Sequence, residues 1–233
     1  MKDFIIPAID IKEGQVVRLF KGDFDKIKRY SRSPEEMAMI YADAGIRRIH
    51  VVDLDGSLEG VPVNLESIRN IRRVFNGIVQ VGGGIRSLKT VDILFEEGID
   101  YVVIGTLAIK NPEEFTKIVN IYPHRVILSV DSKKGRVAIG GWKEESSLTP
   151  QELASMYDKL PIWGYLYTDI ERDGTLKGVR VDIYREFKEY TQKPVLASGG
   201  VASMEDVKAL MCCADGVVVG KAIYEGLIDI FRL

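Results

Sequence analysis

The chain repeats itself at about half its length. The apolar run Phe4-Ile5-Ile6-Pro7-Ala8-Ile9-Asp10 returns 121 residues later as Val126-Ile127-Leu128-Ser129-Val130-Asp131. Val79-Gln80-Val81-Gly82-Gly83-Gly84-Ile85 returns after 116 residues, ending in Ser198-Gly199-Gly200-Val201. Tyr101-Val102-Val103-Ile104-Gly105-Thr106 returns after 115 residues as Gly216-Val217-Val218-Val219-Gly220-Lys221. Three pairs in one order at nearly one spacing imply two equivalent halves, with carboxylates and glycine loops placed symmetrically.

Short Val- and Ile-rich runs predict strands at 4–9, 48–53, 78–81, 101–104, 126–130, 165–168, 194–197 and 216–219, each followed by a segment of helical period. Ser33-Pro34-Glu35-Glu36, Asn111-Pro112-Glu113-Glu114 and Thr149-Pro150-Gln151-Glu152 each read as an N-cap, a proline in the first turn and a glutamate completing a capping box. Ser87 and Ser203 are placed to cap two more helices. Eight βα units with a half-length repeat predict an α/β fold, a (β/α)8 TIM barrel built from two duplicated half-barrels, occupying 1–233 as a single domain. Extra short strands fit 15–19 and 136–139, in matching places.

A net charge of −2, from 32 basic and 34 acidic residues, offers no general attraction for nucleic acid or an anionic membrane, so any anion site must be local. No apolar run approaches the roughly 20 residues of a membrane span. Cys212 and Cys213 are adjacent and provide no disulfide framework, and no targeting segment is apparent. A cytoplasmic monomer without nucleic-acid or membrane partners is expected.

Loops after barrel strands form the face where active sites are built. Glycines there let backbone N–H groups converge on an anion. Gly82, Gly83, Gly84 and Ser87, beside Gly105 and Thr106, form one candidate phosphate cradle after strands three and four. Gly199, Gly200 and Ser203, beside Gly220 and Lys221, form another after strands seven and eight. These strand pairs oppose each other in a barrel. The expected ligand is therefore an elongated small molecule phosphorylated at both ends, and bulky replacements of Gly83 or Gly199 should chiefly raise KM.

Asp10 and Asp131 end strands one and five, which also face each other, so both carboxylates should flank the middle of such a ligand. One kept ionised and one kept protonated act as base and acid. Thr168, aligned with Asp53 at an offset of 115, offers a hydroxyl to orient the acid or a substrate oxygen. Arg18, Arg86 and Trp142 fall on loops at the same face, Trp142 in the mobile setting Gly140-Gly141-Trp142. His50, about 10 Å down strand two from Asp53 and on the opposite side, reads as structural, as does His124 at the foot of strand five. No residue group has metal-ligand spacing, and no metal is expected.

Pro7-Ala8-Ile9-Asp10, Gly14-Gln15-Val16-Val17-Arg18-Leu19, His50-Val51-Val52-Asp53-Leu54-Asp55-Gly56, Gly82-Gly83-Gly84-Ile85-Arg86 and Asp173-Gly174-Thr175 together resemble the ProFAR isomerases of histidine biosynthesis. The resemblance implies a duplicated barrel and a cofactor-independent Amadori rearrangement, aldose to ketose, of a bisphosphorylated aminoimidazole carboxamide ribonucleotide. It implies that Asp131 is the general acid that opens the ribose ring and Asp10 the base that removes the C2′ proton. Thr168 would assist, Asp173 would hold the closed site, and Arg18, Arg86 and Trp142 would contact substrate. Three alternatives stand beside this reading. The sister cyclase usually has cysteine and leucine before its first aspartate, where this chain has Pro7-Ala8-Ile9. A bifunctional isomerase would also accept phosphoribosylanthranilate. A phosphosugar-binding regulator would not need both carboxylates.

Overall fold

The computed structural model describes residues 1–20 and 22–233. Eight parallel strands close on themselves: β1 (Ile5–Lys12), β2 (Arg48–Asp53), β3 (Ile78–Gly82), β4 (Tyr101–Ile104), β5 (Val126–Lys133), β6 (Gly164–Asp169), β7 (Val195–Ser198) and β8 (Gly216–Val219). Each pairs with its neighbours in sequence, and β8 returns to β1 through Ile5↔Val217. A (β/α)8 barrel results, with at least one helix after every strand. Strand boundaries agree with the expected ones within a few residues.

Alternation along the strands sorts the apolar residues into two layers. Ile6, Ala8, Val103, Ile127, Leu166, Leu196 and Val218 fill the barrel interior, while the outward strand faces pack against the helices in a larger cluster. Gly164 admits β7 closely, since a Cβ there would lie 2.3 Å from the Pro194 carbonyl oxygen. Among the described residues no helix is long and apolar enough to cross a membrane.

The proline-marked helices begin where expected, at Pro34, Pro112 and Pro150. Ser33 and Thr149 close full capping boxes with Glu36 and Glu152. The third box is only half formed. Asn111 accepts from Glu114 N, but Glu114 Oε1 accepts from Leu88 N at the start of the neighbouring helix. A tertiary donor has displaced the local one, tying two helix starts together.

Both extra strands are present, Gln15–Phe20 and Arg136–Ile139, each folding back on the strand before it. The first extends into a further strand, Asp23–Arg29, that the sequence did not reveal. Its charged residues are mostly exposed and leave no burial pattern to read. The final α-helix, Lys221–Tyr224, is a single turn, and a 3-10 turn at Ile230–Arg232 follows it.

Candidate active site

One cavity opens at the ends of the barrel strands, and the residues predicted for the site line it, except the cradle serines Ser87 and Ser203. The closed strand order sets β3 and β4 across from β7 and β8, and β1 across from β5. Asp10 and Asp131 therefore occupy opposite walls, with Gly83, Gly84, Gly105 and Thr106 at one end and Gly199, Gly200, Gly220 and Lys221 at the other.

The glycines are needed where they stand. Gly83 and Gly199 have φ of +102° and +99°, values that side chains rarely adopt, and a Cβ would meet the Asp53 and Asp169 carbonyl oxygens at 2.2 and 2.5 Å. Gly220 serves another purpose. A Cβ there would lie 2.3 Å from Arg18 Cζ, so its absence lets the guanidinium lie across the end of β8. Ser87 and Ser203, expected in the cradles, do not line the cavity; their hydroxyls cap the helices Leu88–Glu96 and Met204–Leu210. Backbone and glycine geometry, without those two hydroxyls, shapes both ends.

Arg18 Nη1 donates to Asp10 Oδ2 at 2.5 Å and Nη2 to the Ala8 carbonyl at 2.5 Å, while its guanidinium lies 5.0 Å from the Tyr224 ring centre. Burial raises the Asp10 pKa, and the charge and hydrogen bond of Arg18 oppose that rise. Arg18 is thus a built-in counterion for one carboxylate rather than a free cover for the ligand. Arg86 is anchored to the Ser57 carbonyl at 3.0 Å.

Asp131 has different surroundings. Burial raises its pKa, and hydrogen bonds from Trp142, Thr168 and Ser129 counter the effect. The Ser129 bond measures 3.2 Å. Thr168, paired in register with Asp131, orients the carboxylate as its position suggested. Trp142 also closes the roof: its ring occupies the space where a Gly22 Cβ would stand, and Lys143 lies 5.7 Å from the Phe24 ring, so the loops after β1 and β5 meet over the cavity.

Asp173 is the third buried carboxyl. Burial, then the negative charge of Asp10, pushes it up to about 7, with Asp131 and Asp169 adding to the rise and Arg18 opposing it. The folded protein then keeps a proton that the unfolded chain releases near pH 4. Stability should accordingly fall as pH rises from about 4 to 7 and level off above that. Asp173→Asn should reduce the slope and leave a variant more stable than its parent at pH 8. Thermal denaturation at pH 5 and 8 checks this, and an unchanged slope would remove Asp173 as its source.

Strand parity requires two corrections. Asp53 does not face the cavity. Its carboxylate is buried outside the barrel, accepting from Gly56 N at 2.8 Å, Val63 N at 2.7 Å and Asn64 N at 2.9 Å. Asp169 is its counterpart, bound by Arg180 through two 2.8 Å bonds. The match to Asp53 is therefore Asp169, at the same 116-residue offset as Gly83 and Gly199, and Thr168 matches Val52. One residue of slip had exchanged the faces. For the same reason His50 does line the cavity, at its floor, whereas His124 stays in the turn before β5 with φ of 61°. Ser129 was also missed, although its spacing of two from Asp131 places it on the same face.

Among the described residues, no cluster of three or more His, Cys, Asp or Glu side chains could hold a metal ion. Cys212 is exposed and Cys213 buried at the end of the helix Met204–Leu210.

The family model described as "Histidine biosynthesis protein" matches residues 4–229. Similar proteins include one from Aquifex aeolicus (strain VF5), 60% identical over 99% of this chain and 97% of its own. Others come from Sulfurihydrogenibium sp. (strain YO3AOP1), 51% identical over 99% and 98%, and Persephonella marina (strain DSM 14350 / EX-H1), 44% identical over 100% and 98%. All three are named 1-(5-phosphoribosyl)-5-((5-phosphoribosylamino)methylideneamino) imidazole-4-carboxamide isomerase.

Proposed function

Because the chain belongs to the histidine biosynthesis protein family, we propose that its cavity carries out the isomerisation for which its relatives are named, converting ProFAR to PRFAR. The reaction is an intramolecular aldose-to-ketose rearrangement and needs no cofactor. One observation carries the reading from geometry: two glycine-lined ends face each other across a single cavity with carboxylates between them. The relatives' name contains two phosphoribosyl groups, one for each end. Gly83, Gly84, Gly105 and Thr106 hold one phosphate; Gly199, Gly200, Gly220 and Lys221 hold the other. Arg86 and Trp142 cover the ligand between them.

In this proposal Asp10 is the base. Arg18 keeps a charge beside it, so the carboxylate stays ionised and accepts the C2′ proton once the ribose ring has opened to an iminium. The resulting enol becomes the ketone. The resemblance gives protonation of the ring oxygen to Asp131, assisted by Thr168. A specific observation favours Asp173 for that step instead. The three bonds to Asp131 all come from donors, which suit a carboxylate, whereas burial and anionic neighbours favour a proton on Asp173 near neutral pH. On this second reading Asp131 orients the ribose and Asp173 delivers the proton.

The matched register of β2–β3 and β6–β7 supports two duplicated half-barrels. A single domain over 1–233, acting as a monomer in the cytoplasm, completes the proposal.

The test is turnover of ProFAR by the purified protein without added ammonia. Absence of conversion would sink the proposal, and a requirement for ammonia would point to the cyclase. Phosphoribosylanthranilate in a parallel assay decides whether the enzyme is bifunctional.

A further inference from the structure

We propose that His50 is a fixed N–H donor on the cavity floor, its tautomer set by a buried relay from Arg48 through Gln80, and that it binds an oxygen near the centre of the bisphosphorylated ligand. This rests on the function proposed above. The tautomer follows from donors and acceptors alone. Arg48 Nε donates to Gln80 Oε1 at 2.7 Å, and because a guanidinium only donates, the amide oxygen must face it. The amide nitrogen then faces His50 Nδ1 at 2.9 Å and must donate in turn. Nδ1 is the acceptor, so the neutral ring carries its hydrogen on Nε2.

The remaining geometry gives that hydrogen somewhere to point. His50 pairs in register with Ala8, two residues below Asp10 on the adjacent strand, and its ring lies under Gly82 at the foot of the first cradle. Among the described residues Nε2 has no hydrogen-bond partner, and the ring lines the cavity. Gln80 is fully buried and His50 only 7% exposed, so water does not readily replace the relay. Burial, with Arg18 and Arg48 nearby, pushes the His50 pKa down to about 3 and keeps the ring neutral.

Packing alone does not require this polar column. The corresponding register pair across the barrel is Leu166↔Leu196, and the place of Arg48 is taken by Gly164. One side of the interior thus carries two leucines at these places, whereas the other buries an imidazole and an amide and half-buries a guanidinium that stacks on Tyr101 and Trp163, with one nitrogen, Arg48 Nη2, left without a hydrogen bond. Such groups are costly to bury relative to leucine, which points to a role at the cavity. His50 would touch the ligand; Gln80 and Arg48 would act only by positioning it.

The chain has two histidines, so protein labelled with ¹⁵N-histidine shows two imidazoles, and a His124→Gln sample assigns them. The expected result is a proton on Nε2 of His50 from pH 5.5 to 8, with its resonance moving when ProFAR or its product saturates the site. In Gln80→Met the lock is lost, the ring nitrogens shift toward averaged values and kcat/KM falls severalfold. His50→Leu should lower kcat/KM by about 10- to 100-fold, and His50→Gln, which keeps an N–H donor, should recover part of it. A proton on Nδ1, an Nε2 resonance indifferent to ligand, or His50→Leu within about twofold of the parent would each overturn the proposal. If His50→Leu does not fold, the wild-type spectra still decide. Lack of turnover in the wild type would instead defeat the functional reading while leaving the tautomer measurable.

Discussion

Asp10→Asn is expected to reduce kcat by a factor on the order of 10² to 10⁴ while changing ligand affinity only a few-fold, and Asp131→Asn to do the same. Each swap preserves shape and removes the ability to carry charge or a proton. In Asp10→Asn the Arg18 guanidinium keeps its bond to the Ala8 carbonyl and its place beside Tyr224, so the site is not dismantled. On the proposed reading the ends of the ligand are held by the glycine cradles, which is why binding should survive. In Asp131→Asn the amide oxygen still accepts from Thr168 and Ser129, again sparing the architecture. Steady-state kinetics with an independent binding measurement separate the two effects. Near-normal kcat in either variant would strip that residue of its role. An equal loss in Asp173→Asn, with the alkaline limb of the pH profile displaced, would favour Asp173 as the acid.

Gly83→Ala and Gly199→Ala carry the other large expected effect. The sequence alone suggests a rise in KM; the geometry adds a loss of stability. A side chain at φ near +100° is strained by about 1 to 3 kcal/mol, and the new methyl group at 2.2 or 2.5 Å from a neighbouring carbonyl forces a backbone shift costing a similar amount. Each variant should lose about 2 to 6 kcal/mol, alongside weaker phosphate binding. Gly14→Ala is the control. Its φ is also positive, at +72°, but nothing lies within 4 Å of the added carbon, so only the backbone strain remains. Equal melting curves for Gly83→Ala and Gly14→Ala would show that the contact with β2 is unimportant.

Much of the barrel was legible because local signals agreed. Val- and Ile-rich runs marked the strands, Pro34, Pro112 and Pro150 marked helix starts, and the half-length repeat identified a closed sheet. The residues that gather around the cavity were legible for a related reason: segments that follow barrel strands all reach one rim. What sequence left hidden is set by distant partners or by single-residue parity. Asp53 and Thr168 share an offset with the last motif pair but not a face, since a one-residue shift sends a side chain to the other side of the sheet. His50 looked structural from that mistaken parity. The bond from Leu88 to Glu114, the ion pair of Arg18 with Asp10 and the chain from Arg48 to His50 join residues whose proximity exists only after folding.

The pairing of β1 with β8 has a consequence for biogenesis. Ile5 finds its partner in Val217, 212 residues further along the chain. A nascent polypeptide leaving the ribosome therefore exposes an unzipped sheet margin until Val217 has emerged. Contacts of such large sequence separation form late and slowly. The interval before closure is when this protein is most open to aggregation and proteolysis, and when a chaperone would have most to protect.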